Sequence, residues 1–131
     1  MANEIQIITS IQVTKGNIRL QFMPNSISPT LTGNPSSLMV QTLTSTNYAN
    51  LTINTNVTNG GWTWFRNIST ATGTTPTIYI ASSLSSAAGT SFPFAALLPS
   101  EFAITRNSVT SFSAKLDTTN SADLQFGILS A

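Results

Sequence analysis

The chain contains no cysteine and no histidine. The first absence removes any disulfide framework and any thiolate nucleophile or metal ligand. The second removes imidazole, both as a general base and as a metal ligand. Charge is nearly as scarce. Charged residues make up 7% of the chain, against about 25% in an ordinary soluble domain. Five Lys and Arg stand against four Asp and Glu, a net of +1. There is no cation cluster to displace counterions from a phosphate backbone, so nucleic acid is excluded as an electrostatic partner. No run of about 18 apolar residues exists, so no membrane-spanning helix and no membrane partner are expected. The N-terminal Met-Ala-Asn-Glu lacks the cations and unbroken apolar stretch of a secretory signal, so the expectation is synthesis in the cytoplasm and retention until assembly or release.

Hydroxyl and amide side chains fill the gap left by charge: Thr 21, Ser 18 and Asn 12 of 131 residues. A Thr/Ser/Asn surface with a net of +1 repels other copies of itself weakly, which suits a protein whose working state is an assembly. The length fits one domain, expected over residues 1–131. Apolar residues alternate with period two in run after run. Ile18, Leu20 and Phe22 follow the turn Lys15-Gly16-Asn17. Ile78 and Ile80 flank Tyr79; Phe102 and Ile104 alternate with Ala103 and Thr105. Phe112, Ala114 and Leu116 precede a turn at residues 117–120, and Leu124, Phe126 and Ile128 close the chain. No segment holds an apolar helical stripe over three turns, and β-branched residues are abundant. The expected fold is all-β: an antiparallel β-sandwich, jelly-roll-like, of eight or nine short strands. Residues 24–37, with three prolines, read as a candidate interaction loop or arm. Phe92 and Phe94 straddle Pro93, which suggests an edge strand. The expected core is Ile18, Leu20, Phe22, Ile53, Trp64, Ile78, Ile80, Phe94, Phe102, Ile104, Phe112, Leu124, Phe126 and Ile128.

Chemistry-bearing constellations are few. The acids are Glu4, Glu101, Asp117 and Asp123, with no motif that pairs two of them across a substrate. Asp117, Asn120 and Asp123 are the only calcium candidates, and a strand-connecting turn explains them better. Lys15 and Lys115 lie in no recognisable Ser–Lys motif. Three glycosylation sequons, beginning at Asn50, Asn56 and Asn67, are what chance gives at this Ser and Thr content. The densest aromatic cluster is Trp62, Trp64 and Phe65, with Arg66 beside it. Exposed, Trp62, Trp64 and Arg66 are candidate contacts for a sugar or a partner protein. Buried, the two tryptophans are one inward face of a strand, and their shared parity favours burial of at least one. No catalytic residue, cofactor or metal is expected.

Residues 61–68, Gly-Trp-Thr-Trp-Phe-Arg-Asn-Ile, resemble a strand of small all-β virion structural proteins of tailed bacteriophages. In that family an aromatic strand ends in Arg-Asn-Leu. A Phe-x-Pro-Phe-like segment and a Leu-x-Pro-Gly-Glu turn follow. Phe92-Pro93-Phe94 and the stretch from Leu98 to Phe102 are similar to these, with Ser100 in place of the turn glycine. The segments 112–116 and 124–128 are similar to the family's closing hairpin. The resemblance implies a virion location on the capsid exterior, as a decoration or cement protein bridging shell subunits. Its partners would be the major capsid protein, or another virion protein, and other copies of itself, most simply a homotrimer on three-fold positions. The alternative is a fibre-head or lectin-like module that binds a host glycan. The missing histidine and scarce acids argue against an enzyme.

Overall fold

The computed structural model describes residues 8–23, 38–53, 57, 60–70, 76–82, 92–108 and 110–130. Among these there are ten strands and no helix: β1 (Ile11–Lys15), β2 (Ile18–Phe22), β3 (Leu38–Leu43), β4 (Ala49–Asn50), β5 (Gly61–Asn67), β6 (Ile78–Ser82), β7 (Ala95–Leu97), β8 (Phe102–Arg106), β9 (Phe112–Leu116) and β10 (Ala122–Ser130). Every pairing is antiparallel. Residues 24–37, the sequon at Asn56, Glu4 and the side chains of Ile18 and Phe22 lie outside what is described. The chain forms two compact units, Met1–Thr32 and Gly33–Ala131.

The first unit contains the hairpin β1–β2, in register from Ile11 opposite Phe22 to Lys15 opposite Ile18. Gly16 opens its two-residue turn at φ 57°, a left-handed conformation that costs glycine nothing. Val13 and Leu20 are paired and both exposed. Leu20 therefore does not join the core, because a two-stranded ladder has no second layer of its own to cover it.

The second unit holds two four-stranded sheets, ordered β3-β10-β5-β8 and β4-β9-β6-β7. The pairs are nested: β6 with β7, β5 with β8, β4 with β9, and β3 with β10. The chain is thus a doubled ribbon whose successive segments alternate between the sheets, and the pairings β10–β5 and β6–β9 complete each sheet. Side chains from both sheets meet in one apolar layer, so the arrangement is sandwich-like. Phe65 of β5 meets Phe112 of β9 edge-on at 5.3 Å and lies 6.5 Å from Phe126 of β10. Ile78, Ile80, Leu116, Leu124 and Ile128 surround them, all buried. Burial of each such side chain contributes about 1.5–3 kcal/mol. Leu51 and Val57 are buried too although neither lies in a strand, and Ile53 is partly buried against the same layer.

The expected core needs four further corrections. Phe94 is exposed, with its ring against Phe65 and Phe112 at 5.9 and 6.2 Å. It precedes the strand, which begins at Ala95. Trp64 is half-buried, and Phe102 and Ile104 are exposed. These last three share one cause: the inward faces of β5 and β8 are the opposite of those expected. Thr63, Phe65 and Asn67 point inward, and Trp62, Trp64 and Arg66 point out. Arg66 has the parity of the tryptophans, and Arg106 has that of Phe102 and Ile104. Burying either set would bury an unpaired guanidinium, which costs far more than exposing indole and aliphatic surface.

Candidate functional site: the outer face of the tryptophan sheet

The outward residues of β3, β10, β5 and β8 form a grid fixed by strand register. Arg66 lies between Gln125 and Phe102, Trp64 between Gly127 and Ile104, and Trp62 between Leu129 and Arg106. One strand further, Val40 flanks Gln125 and Leu38 flanks Gly127. Sequence reading selected Trp62, Trp64 and Arg66, and the fold brings all three onto this face. It missed Leu38, Val40, Phe102, Ile104 and Arg106, which alternation within a single strand cannot assign to a common surface.

Gly127 explains the placement of Trp64. A Cβ there would collide with the indole Nε1 and lie 3.0 Å from Cε2. The indole therefore lies over bare backbone, in the space a side chain would occupy. Around it the apolar surface is open to solvent: Phe102 is 65% exposed, Leu38 63% and Val40 56%. Trp64, Arg66, Ser100, Phe102 and Ile104 line a depression of about 410 Å³. Ser100 forms its rim at φ 72°, a left-handed conformation unusual for serine. The turn thus keeps the backbone that a glycine would adopt. Glu101 Oε2 holds it by accepting from the Leu98 N–H at 2.8 Å.

Both arginine side chains point to solvent, and neither guanidinium makes a hydrogen bond or ion pair with a described residue. The carboxylates of the described acids are engaged elsewhere. Asp123, the acid on this face, accepts from Thr42 Oγ1 at 2.6 Å. Asp117 Oδ1 accepts from the Thr77 N–H at 2.9 Å. Asp117 and Asp123 thus tie down different strands, and among the described residues no group of three or more His, Cys, Asp and Glu is placed to hold a metal. On the other sheet, Lys115 Nζ sits over the rings of Tyr48 and Tyr79, at 4.9 and 5.7 Å. The sequon asparagine Asn67 is fully buried. Its Nδ2 donates to the carbonyls of Pro76 and Leu97, both at 3.1 Å, and its Oδ1 accepts from the Ser69 N–H. It is a structural link between sheets rather than an accessible acceptor.

The side chains gathered on the tryptophan face supply contact area and fixed positive charge. Their chemistry is that of binding. No protein-family model, curated protein or solved structure matches the chain.

Proposed function

We propose that this chain is a phage virion structural protein, a capsid decoration or cement protein that attaches to the shell exterior through the outer face of the β3-β10-β5-β8 sheet. The observation that carries the proposal is the exposed apolar surface of Leu38, Val40, Phe102 and Ile104 around the half-buried Trp64. Contiguous exposed apolar surface on a protein this size marks an interaction site. Two arguments support the virion setting. The eight strands of the second unit have the nested pairing of a doubled ribbon rolled into two sheets, which we read as a jelly roll, an architecture recurrent in capsid and lectin domains. The resemblance of residues 61–68, 92–94 and 98–102 to small virion proteins points the same way. The work is mechanical: a rigid sandwich bridges neighbouring shell subunits, and many symmetric copies, as homotrimers on three-fold positions, turn weak contacts into avidity.

Electron cryomicroscopy of purified particles tests this reading. It predicts density for the sandwich on the outer shell with the tryptophan face turned toward the capsid. Particles that lack the chain, or carry it with that face toward solvent, overturn it. A second reading rests on Trp62, Trp64 and Arg66 lying together, partly open: a glycan-binding module in which an indole stacks on a sugar ring. Saturable, Trp64-dependent binding on a glycan array favours it over attachment.

A further inference from the structure

The two arginines, whose guanidiniums pair with no described residue, restrict what the tryptophan face can accept. Arg66 lies opposite Phe102, and Arg106 lies four residues further along β8. At about 3.3 Å per residue their strand positions are roughly 13 Å apart. Between them runs the row of Trp64 and Ile104. The Trp64 depression lies at the Arg66 end, and a second one, about 470 Å³ and lined by Gly60, Arg106, Asn107 and Ser108, lies at the other. Two cationic side chains rooted about 13 Å apart along the strands, with an apolar seat between them, complement one repeating geometry. In an extended chain residues i, i+2 and i+4 share a face, and i and i+4 are separated by that same distance.

Building on the docking role proposed above, we propose that this face takes an extended polypeptide segment with carboxylates four residues apart and an apolar side chain midway between them. One carboxylate meets Arg66 and the other Arg106, each through charge-assisted hydrogen bonds. The central side chain rests on Trp64, Phe102 and Ile104. A second copy of this chain fits less well. The face carries one described acid, Asp123, against the two arginines, so face-to-face packing would trap at least one guanidinium of each copy without a carboxylate. A saccharide fits less well because Leu38, Val40 and Ile104 offer it neither a stacking plane nor a hydrogen bond.

The test is an NMR titration of the ¹⁵N-labelled full chain with four probes. They are the peptide Thr-Glu-Thr-Leu-Thr-Glu-Thr, its analogue with both Glu replaced by Gln, an analogue with the two Glu three residues apart, and oligogalacturonate. The proposal predicts saturable shifts of the Trp64 indole N–H and of the Phe102 and Ile104 amides with the first peptide. Affinity falls about tenfold or more for the Gln analogue, and similarly for Arg66→Gln and Arg106→Gln, because each change removes charge-assisted bonds. The three-residue spacing puts one carboxylate on the wrong face, so this analogue binds the wild-type chain about as weakly as the first peptide binds Arg66→Gln. Equal binding of all three peptides overturns the acidic specificity and leaves the docking role standing. Shifts with oligogalacturonate alone overturn the polypeptide and favour the glycan reading. No shift on this face with any probe overturns the inference. The docking role is tested separately by whether Phe102→Asp loads onto particles.

Discussion

Truncating Phe65 and Trp64 in parallel distinguishes the two faces of β5 energetically. Phe65 is 0% exposed and touches the rings of Phe94, Phe112 and Phe126. Phe65→Ala loses the transfer energy of the ring and leaves a cavity walled by both sheets, about 3–5 kcal/mol. The lost ring pairs, each about 0.5–1.5 kcal/mol beyond area, place the cost toward the upper end. The second unit is about 100 residues, for which 1 kcal/mol corresponds to roughly 5 °C, so the midpoint falls by about 20 °C. Trp64 is larger but half-buried, with solvent on its outer side. Trp64→Ala opens no enclosed cavity and costs about 1–2 kcal/mol. Urea unfolding of both variants, followed by far-UV circular dichroism, gives the two values with a common slope. A larger loss for Trp64→Ala than for Phe65→Ala would refute the assignment of faces.

Further outcomes follow from single positions. Asn67→Ala leaves the Pro76 and Leu97 carbonyls without their donor and costs about 3 kcal/mol in urea unfolding; unchanged stability would remove Asn67 as a link between sheets. Ser100→Gly relieves a left-handed serine and raises stability by up to about 1 kcal/mol, whereas Ser100→Val lowers it. Gly127→Val drives the indole off the sheet and alters the near-UV tryptophan signal, with Gly127→Ala doing so less. Burial, with Tyr79 beside it, raises the Tyr48 hydroxyl above its ordinary 10.0. The folded chain then keeps a proton that the unfolded chain releases, so stability is level below pH about 10 and falls as pH rises toward the folded value. Tyr48→Phe flattens that alkaline limb. It also removes a buried hydroxyl without a partner, so stability at neutral pH holds or rises.

The regular strands were legible because their alternation is clean. Phe112, Leu116, Leu124, Phe126 and Ile128 all face inward as period two predicts. The turn at Gly16 was equally plain. The edge strand suggested around Pro93 is present as β7, but it begins at Ala95, just after the Phe94 N–H bonds the Ile80 carbonyl, and its Ala-Ala-Leu sequence carries no alternation of its own. Two-residue β4 is too short to carry any period. The orientation of β5 failed for an instructive reason. Both of its parities carry large apolar groups, and the shared parity of the two tryptophans suggested burial of at least one. The deciding signal was Arg66 on the same parity, repeated by Arg106 in β8. The candidate contacts Trp62, Trp64 and Arg66 were visible in the sequence. Their neighbours were not, because the nested pairing that joins β3, β10, β5 and β8 is long-range and leaves no local trace.

The central claim is that the tryptophan face attaches this protein to a shell. Its most direct test is the occupancy, by electron cryomicroscopy, of particles lacking the chain after incubation with purified wild-type or Phe102→Asp protein. Phe102 is 65% exposed, so the variant keeps the wild-type melting temperature within a few degrees. The account predicts that its occupancy nevertheless falls at least tenfold, since a carboxylate then sits in the apolar seat. Wild-type occupancy by a stably folded Phe102→Asp would contradict it.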